Sequence, residues 1–236
     1  MPRTAYNAYI KTEWEMFVGN PGRARASLAA TEGMEVTRVL DVGCGAGQEL
    51  VPFVVERKAL GVGIDFAPQV GQVGRNLFAT HALPGNVVFM RAAAESLPFR
   101  SQVFDVVICR LALPYTGNRP ALDEIARVLR DEGVCLLKIH HARYYFRSLK
   151  RALSSLDVRT AIHDIRVLMA GAIYHVSGKQ LRNKLMGYES FQTRWLIRRE
   201  LDKRGLFIVG EMPDSNPATP SFIVSNRRLP EDDQLA

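Results

Sequence analysis

Residues Val39-Leu40-Asp41-Val42-Gly43-Cys44-Gly45-Ala46-Gly47 run from an apolar stretch straight into three glycines at alternate positions. A turn of this kind leaves backbone N–H groups uncovered at the start of the helix that follows. It also lets a ligand come close where a Cβ would otherwise stand. The chemistry that suits it is the holding of electron-rich ligand atoms at a strand–helix junction. A dinucleotide fingerprint would place its third glycine at position 48, where the chain has Gln48. Asp65 closes the next apolar run, at the spacing where a carboxylate accepts hydrogen bonds from both hydroxyls of a ribose.

The elements that must hold these groups alternate in type. Tyr6 to about Thr31 reads as two helices broken at Gly19-Asn20-Pro21-Gly22. Strands are expected over Arg38–Asp41, Leu60–Ile64, Val87–Met90, Phe104–Cys109 and Val134–Ile139. Helices are expected over Gln48–Arg57, Val70–Thr80 and Pro120–Arg130, the last closed near Gly133. Strands apolar on both faces and separated by helices indicate a doubly wound, mostly parallel α/β sheet. Residues 141–189 interrupt this rhythm with basic, aromatic-rich helical sequence. A helix from Phe191 to Arg204, with Gly205 as its C′ residue, then leads to strands Leu206–Val209 and Phe222–Ser225, an antiparallel hairpin. The expected organisation is N-terminal helices over 1–35, an α/β core over 36–140, a helical insertion over 141–189, the last helix and strands over 190–226, and a tail over 227–236.

Three more segments accompany the glycine turn and Asp65: Ala94-Glu95-Ser96-Leu97-Pro98-Phe99, Val103-Phe104-Asp105-Val106-Val107, and Ala121-Leu122-Asp123-Glu124-Ile125-Ala126-Arg127-Val128-Leu129 ahead of Gly133. Together they resemble the class I S-adenosylmethionine-dependent methyltransferases, and among these the broad bacterial subgroup acting on small molecules and quinone-like substrates. The resemblance covers about residues 36–140 and the terminal hairpin. It implies a seven-stranded Rossmann-like sheet and S-adenosyl-L-methionine as cofactor. It further implies that Asp41, Gly43, Cys44, Gly45 and Gly47 cradle the methionine part and that Asp65 takes the ribose. Phe66 would lie beside the adenine, and Ala94 and Glu95 at its edge. Arg110 and Leu111 would face the sulfonium and the substrate. The family often has Asp where this chain has Ala93, which leaves the adenine amino group to Glu95; Asp131-Glu132-Gly133 replaces the usual Pro-Gly-Gly. Leu113-Pro114-Tyr115 stands where methyltransferases of nucleic-acid amines carry Asn or Asp, Pro, Pro and an aromatic, so the amine-holding group is missing and base N-methylation is disfavoured.

Methyl transfer of this kind asks the protein to align a nucleophile and, for a hydroxyl, to remove a proton. Candidate bases belong above the carboxyl ends of the strands. His140 and His141 follow the fifth strand and Tyr115 the fourth, whereas Tyr144, Tyr145, His163, Tyr174 and His175 lie in the insertion. With the N-terminal helices around Tyr9 and Trp14, that insertion is expected to roof the cofactor and form the substrate pocket.

The chain has 236 residues, 47% hydrophobic and 23% charged, which excludes fibrous, disulfide-framework and mainly disordered classes. Its net charge of +7 is uneven: residues 141–210 carry 14 Lys and Arg against 5 Asp and Glu. The stripe Tyr145, Leu149, Leu153 and Leu156, with Arg143, Arg147 and Lys150 beside it, reads as a lid helix packed on the domain. Its alternatives are contact with an anionic substrate, a membrane surface or RNA. Cys44, Cys109 and Cys135 read as reduced core thiols, and no metal-ligand spacing occurs. Without a signal-peptide pattern or a stretch of the roughly 20 apolar residues needed to span a bilayer, a cytoplasmic enzyme is expected. Its substrate would be an anionic or amphiphilic small molecule, with nucleic acid as the less favoured partner.

Overall fold

A computed structural model describes residues 3–183 and 187–227. Helices α1 (Arg3–Val18) and α2 (Pro21–Ala29) precede strand β1 (Arg38–Val42). The chain continues through α3 (Val51–Glu56), β2 (Leu60–Asp65), α4 (Gln72–Thr80), β3 (Val87–Arg91), β4 (Phe104–Arg110), α5 (Asn118–Val128) and β5 (Leu129–Lys138). Helices α6 (Ala142–Ser154), α7 (Val158–Ser177) and α8 (Arg194–Asp202) lead to β6 (Phe207–Glu211) and β7 (Ser221–Ser225). The seven strands form one sheet in the order β3-β2-β1-β4-β5-β7-β6, parallel except for the antiparallel pairings of β7. The order reverses between β1 and β4, which is where open sheets of this type bind their ligands.

Alternation along the strands builds two cores. Leu40, Val42, Val107 and Leu137 point to the face covered by Leu122 and Ile125 of α5 and Ile197 and Leu201 of α8. Val39, Val106, Ile108 and Leu136 point to the other face, under Phe53 of α3, Phe78 of α4 and Ile10 and Trp14 of α1. Neighbouring strand residues therefore serve opposite layers, as a sheet with helices on both sides requires. All three cysteines are buried within it, and burial pushes their thiols up, that of Cys109 to about 12.

Four expectations are corrected. Helix α5 stops at Val128 rather than Arg130, because Leu129 takes an extended backbone and joins the ladder opposite Phe104; a register shift then precedes the pair Val106–Val134. Helix α8 begins at Arg194 rather than Phe191, because the Thr193 hydroxyl caps it by accepting the Leu196 N–H at 3.2 Å. Phe191 is instead a buried core residue packed against Gly171, where an added Cβ would come within 2.2 Å of its ring. Gly205 does take positive φ, but one residue beyond the C′ position, because Lys203 is the C-cap. The stripe on α6 does not pack as a lid helix: Tyr145 is buried, whereas Leu153 and Leu156 face outward. The expected tail 227–236 lies outside the described residues beyond Arg227.

Candidate functional site

Strand β1 delivers its chain end into the turn with Gly43 at φ +74° and Gly47 at φ +80°, a region that side chains disfavour. Space is equally restrictive. A Cβ on Gly43 would stand 2.4 Å from that of Ala112, and one on Gly47 would stand 2.5 Å from the Phe89 ring. Both glycines are thus fixed by the loop after β4 and by β3. The turn ends in a 3-10 turn over Gln48–Leu50, with α3 starting only at Val51, so the expected single helix from Gln48 to Arg57 is two pieces.

A cavity of about 80 Å³ lies on this turn, lined by Asp41, Gly43, Cys44, Gly45, Gln48 and Glu49, by Arg110 and Leu111 after β4, by Arg23, and by Tyr6, Tyr9, Ile10 and Glu13 of α1. Four of the five residues expected from the sequence at the methionine end therefore meet at one place, together with Arg110 and Leu111. Gly47 stands outside the lining and shapes the turn. The Asp41 carboxylate is buried, and burial together with Glu49 holds it well above the usual carboxylate range. Its Oδ2, Gln48 Oε1 and Arg110 Nη1 have no hydrogen-bond partner among the described residues. Arg110 is tied by Nε to Glu49 at 3.1 Å and by Nη2 to Asp214, which Lys138 also holds at 2.8 Å. Arg23 of α2 reaches Glu49 from the other side.

Asp65 already accepts three hydrogen bonds. Oδ2 takes the Tyr6 phenol at 2.9 Å and the Gly45 N–H at 3.1 Å, and Oδ1 takes the Ala67 N–H at 2.9 Å. Phe66 stands exposed beside it, with the Arg91 guanidinium 5.3 Å from its ring centre. Ala94 is buried; Glu95 points away, accepting the Gly117 N–H at 2.6 Å and Arg182 at 3.0 Å. The loop holding Ala94 to Phe99 is locked to α5, where Glu124 accepts the Leu97 N–H and Arg127 donates to the carbonyls of Leu97 and Phe99. That lock joins the two sequence segments in the fold.

Above the ends of β4 and β5 a second group gathers around Glu189. Tyr145 donates to Glu189 Oε1 at 2.5 Å, and His163 lies 3.2 Å from Oε2. His140 Nδ1 lies 3.1 Å from the Tyr145 oxygen, and its ring stacks on Tyr144 at 4.3 Å. Because the phenol proton of Tyr145 goes to Glu189, the network assigns the His140 proton to Nδ1, leaving Nε2 as the basic nitrogen. Burial pulls the His140 pKa down to about 4, so the ring is neutral near pH 7. Burial pushes the Glu189 carboxyl up, but His163 and Tyr145 outweigh it and hold the group below its ordinary value. Tyr115 and Glu189 line a cavity of about 210 Å³ with His163, Arg166, Val167 and Tyr188. Backbone bonds fix this arrangement, from Ser190 to the Pro114 carbonyl at 3.1 Å and from Gln192 to the His140 carbonyl at 2.9 Å. Tyr9, in the lining of the first cavity, is near enough to bear on the ionisation of Tyr115, and so links the two groups.

Other candidates fall elsewhere. His141 caps α6, accepting the Arg143 N–H at 3.2 Å. His175 is bound to the Gly171 carbonyl and the Thr193 hydroxyl, and Trp14 packs against Phe78 and His81. No described residue of 141–189 lines the first cavity; α1 covers it. Sequence reasoning missed Tyr6, Arg23, Glu49, Asp214 and Glu189. Two carried a visible signal: Glu49 is a lone acid in an apolar helix start, and Glu189 is one of five acids in the basic stretch. Among the described residues no cluster of His, Cys, Asp and Glu has the makings of a metal site, and no helix is long and apolar enough to cross a membrane.

Comparison with known proteins agrees with this geometry. Residues 39–133 match the family model described as a methyltransferase domain. Over 109 residues the chain is 38% identical to the uncharacterized methyltransferase YcgJ of Bacillus subtilis, covering 44% of this chain and 41% of that protein. Over 102 residues it is 33% identical to the ubiquinone/menaquinone biosynthesis C-methyltransferase UbiE of a Marinomonas species, covering 42% and 41%. The match thus spans about two fifths of the length of these curated relatives. The crystal structure of YcgJ from Bacillus subtilis superposes with a TM-score of 0.57 at 17% identity, over 86% of this chain and 94% of that one. With the glycine turn, Asp65 and the reversal of strand order all in place, these matches support a class I S-adenosylmethionine-dependent methyltransferase domain over residues 39–133.

Proposed function

We propose that the protein transfers a methyl group from S-adenosylmethionine to a small amphiphilic acceptor that loses a proton on methylation. The observation that carries the reading is the set of uncommitted buried polar atoms on the glycine turn. Asp41 Oδ2 and Arg110 Nη1 line one cavity, a buried acceptor and a buried donor suited to an ammonium and a carboxylate. These residues fit the amino-acid end of the cofactor. Arg110, helped by Arg23, would hold its carboxylate, Asp41 and Glu49 its ammonium, Asp65 its ribose, and Phe66 and Ala94 its adenine. When bound, the cofactor supplies an electrophilic methyl carbon on a sulfonium. Glu95 is committed to Gly117 and Arg182, so its contribution is to tie the adenine-side loop to the insertion.

The acceptor belongs in the cavity beside Glu189. There His140, neutral near pH 7, takes a proton from the acceptor at Nε2. Tyr145 and Glu189 steady the charge that then develops on the ring, since Nδ1–H faces the phenol oxygen and the carboxylate lies 3.9 Å away. Tyr115, Val167 and Tyr188 provide apolar faces and Arg166 a cation, a lining that suits an amphiphile. That UbiE is named a quinone C-methyltransferase supports an acceptor of this kind.

The test uses S-adenosylmethionine labelled on the methyl group, offered with a cellular lipid extract, a water-soluble metabolite pool and total RNA. Label is expected in the lipid extract. Glu189→Gln should lower turnover by about 10²-fold, in the range of general-base contributions, and leave binding of S-adenosylhomocysteine unchanged. Label in RNA alone, or full activity in Glu189→Gln, would overturn the proposal.

A further inference from the structure

The outer surface of the α6–α7 hairpin is one large feature that the site does not use. Along α7, Val158, Ile162, Ile165, Met169 and Val176 are all exposed, Val176 to 91%. At 100° per residue they fall within about 60° of arc, and at 1.5 Å per residue the line runs about 27 Å. Of the buried residues of α7, Asp164, Val167, Ala170, Gly171 and Tyr174 lie on the opposite side. The stripe therefore faces away from the domain along the whole helix. Phe146 and Leu153 of α6 and Leu156 in the turn, itself 85% exposed, extend the apolar surface around the tip.

Cations border this surface. Arg143, Arg147, Lys150 and Arg151 project from α6, and Arg159 and Arg166 flank the stripe on α7. None of the six makes an ion pair among the described residues. Of the two acids on the hairpin, Asp157 is engaged as the cap of α7 through Thr160 and Asp164 is buried. A contiguous apolar stripe edged by unpaired arginines has the chemistry of a helix lying in a membrane interface, its apolar line among the acyl chains and its cations at anionic headgroups.

We infer that the α6–α7 hairpin docks the protein on an anionic lipid surface. The charge complementarity selects the bilayer over a second copy of this chain, which would bring the same six cations face to face. This inference stands on the surface alone and is independent of the reaction proposed above. With that reaction, it places the cavity walled by His163 and Arg166 one helical turn from Ile162 and Ile165, beside the lipid.

Flotation with vesicles tests it. The full chain is expected to float with vesicles of mixed phosphatidylcholine and phosphatidylglycerol at low salt and to detach as salt rises. Vesicles of phosphatidylcholine alone should bind at least tenfold more weakly. Ile165→Glu combined with Met169→Glu changes two exposed side chains and should reduce binding at least tenfold. Arg147→Ala with Lys150→Ala should abolish the preference for the anionic vesicles. Circular dichroism and binding of S-adenosylhomocysteine, unchanged in both pairs, show that the fold and the first cavity are intact and separate this test from that of the methyl transfer. The inference is overturned if the wild type does not float with the mixed vesicles, or if the Glu pair binds them as the wild type does. It is equally overturned if the chain is a dimer in solution that the Glu pair splits, which would put a second copy on the stripe.

Discussion

Tyr6 occupies the place on Asp65 that a ribose would claim, and removing its hydroxyl should tighten cofactor binding. The phenol donates to Oδ2 at 2.9 Å, and burial and the nearby Asp65 charge raise its pKa, so it stays a donor throughout the working range. The cavity under α1 measures about 80 Å³, well below the roughly 300 Å³ at which ligand pockets usually begin. Cofactor binding must therefore shift α1 and break the Tyr6 bond. A hydrogen bond to a charged acceptor contributes about 1.5–3 kcal/mol, and water replaces part of it on the open side, leaving about 1–2 kcal/mol. Tyr6→Phe keeps the ring, and Ile10 and Trp14 still anchor α1 in the core. The closed form alone loses stability, so affinity for S-adenosylhomocysteine should rise by roughly 5- to 30-fold in titration calorimetry. Asp65→Ala should itself weaken binding by about 2–4 kcal/mol through loss of the ribose bonds. Added to Asp65→Ala, Tyr6→Phe should change the affinity less than about 2-fold, because the bond it acts on is gone. Weaker binding by Tyr6→Phe alone would mean that the phenol holds the ribose rather than competes with it, and would refute the reasoning.

Gly43→Ala should destabilise the fold by about 1–3 kcal/mol in urea unfolding, since the new Cβ meets that of Ala112 at 2.4 Å and φ is +74°; Ala112→Gly should restore the steric part only. His140 has a folded pKa of about 4 through burial, against about 6.5 unfolded, so the unfolded state binds more protons between these values. Stability should fall as pH drops through that window, by up to about 3 kcal/mol, and His140→Gln should flatten the curve. Arg110→Met removes the buried cation shared by Glu49 and Asp214. It should cost about 3 kcal/mol in the same assay, the low end for breaking a buried pair, because Arg23 and Lys138 remain on those carboxylates.

The core was legible because its signals are local. Apolar runs of strand length, a glycine turn and a strand-end acid each follow from a few adjacent residues, and β1 to β4 stand within a residue or two of where the pattern put them. Where a boundary moved, a distant contact had decided it: Leu129 became strand because Phe104 offers a ladder partner, and Phe191 left α8 because the space above Gly171 accepts its ring. The site divides in the same way. The glycine turn and Asp65 were visible, whereas Tyr6, 59 residues from Asp65, and Asp214, 104 residues from Arg110, meet their partners only through the fold. His141 shared the strand-end position of His140, but the helix start beside it took its ring nitrogen as a cap.

Charge shows why a count along the chain is not a surface property. Within the basic stretch, α8 and the turn after it supply Arg199, Lys203 and Arg204, yet all three, with Arg119 of α5, converge on the single buried carboxylate of Glu200. Burial raises that carboxyl, and the cations around it more than reverse the effect, bringing it to about 2. Arg194 is likewise taken by Glu211, and Arg182 by Glu95. Apart from the exposed Lys179 and Arg198, the cations of this stretch left without an ion pair among the described residues lie on α6 and α7, the same two helices that carry the outward apolar stripe. Helix α8 spends its charge on joining the last helix to α5 and the sheet. Apart from Arg166, which also lines the cavity beside Glu189, the cations of the hairpin have no internal use, which is the physical ground for reading that surface as one built to meet an anionic partner.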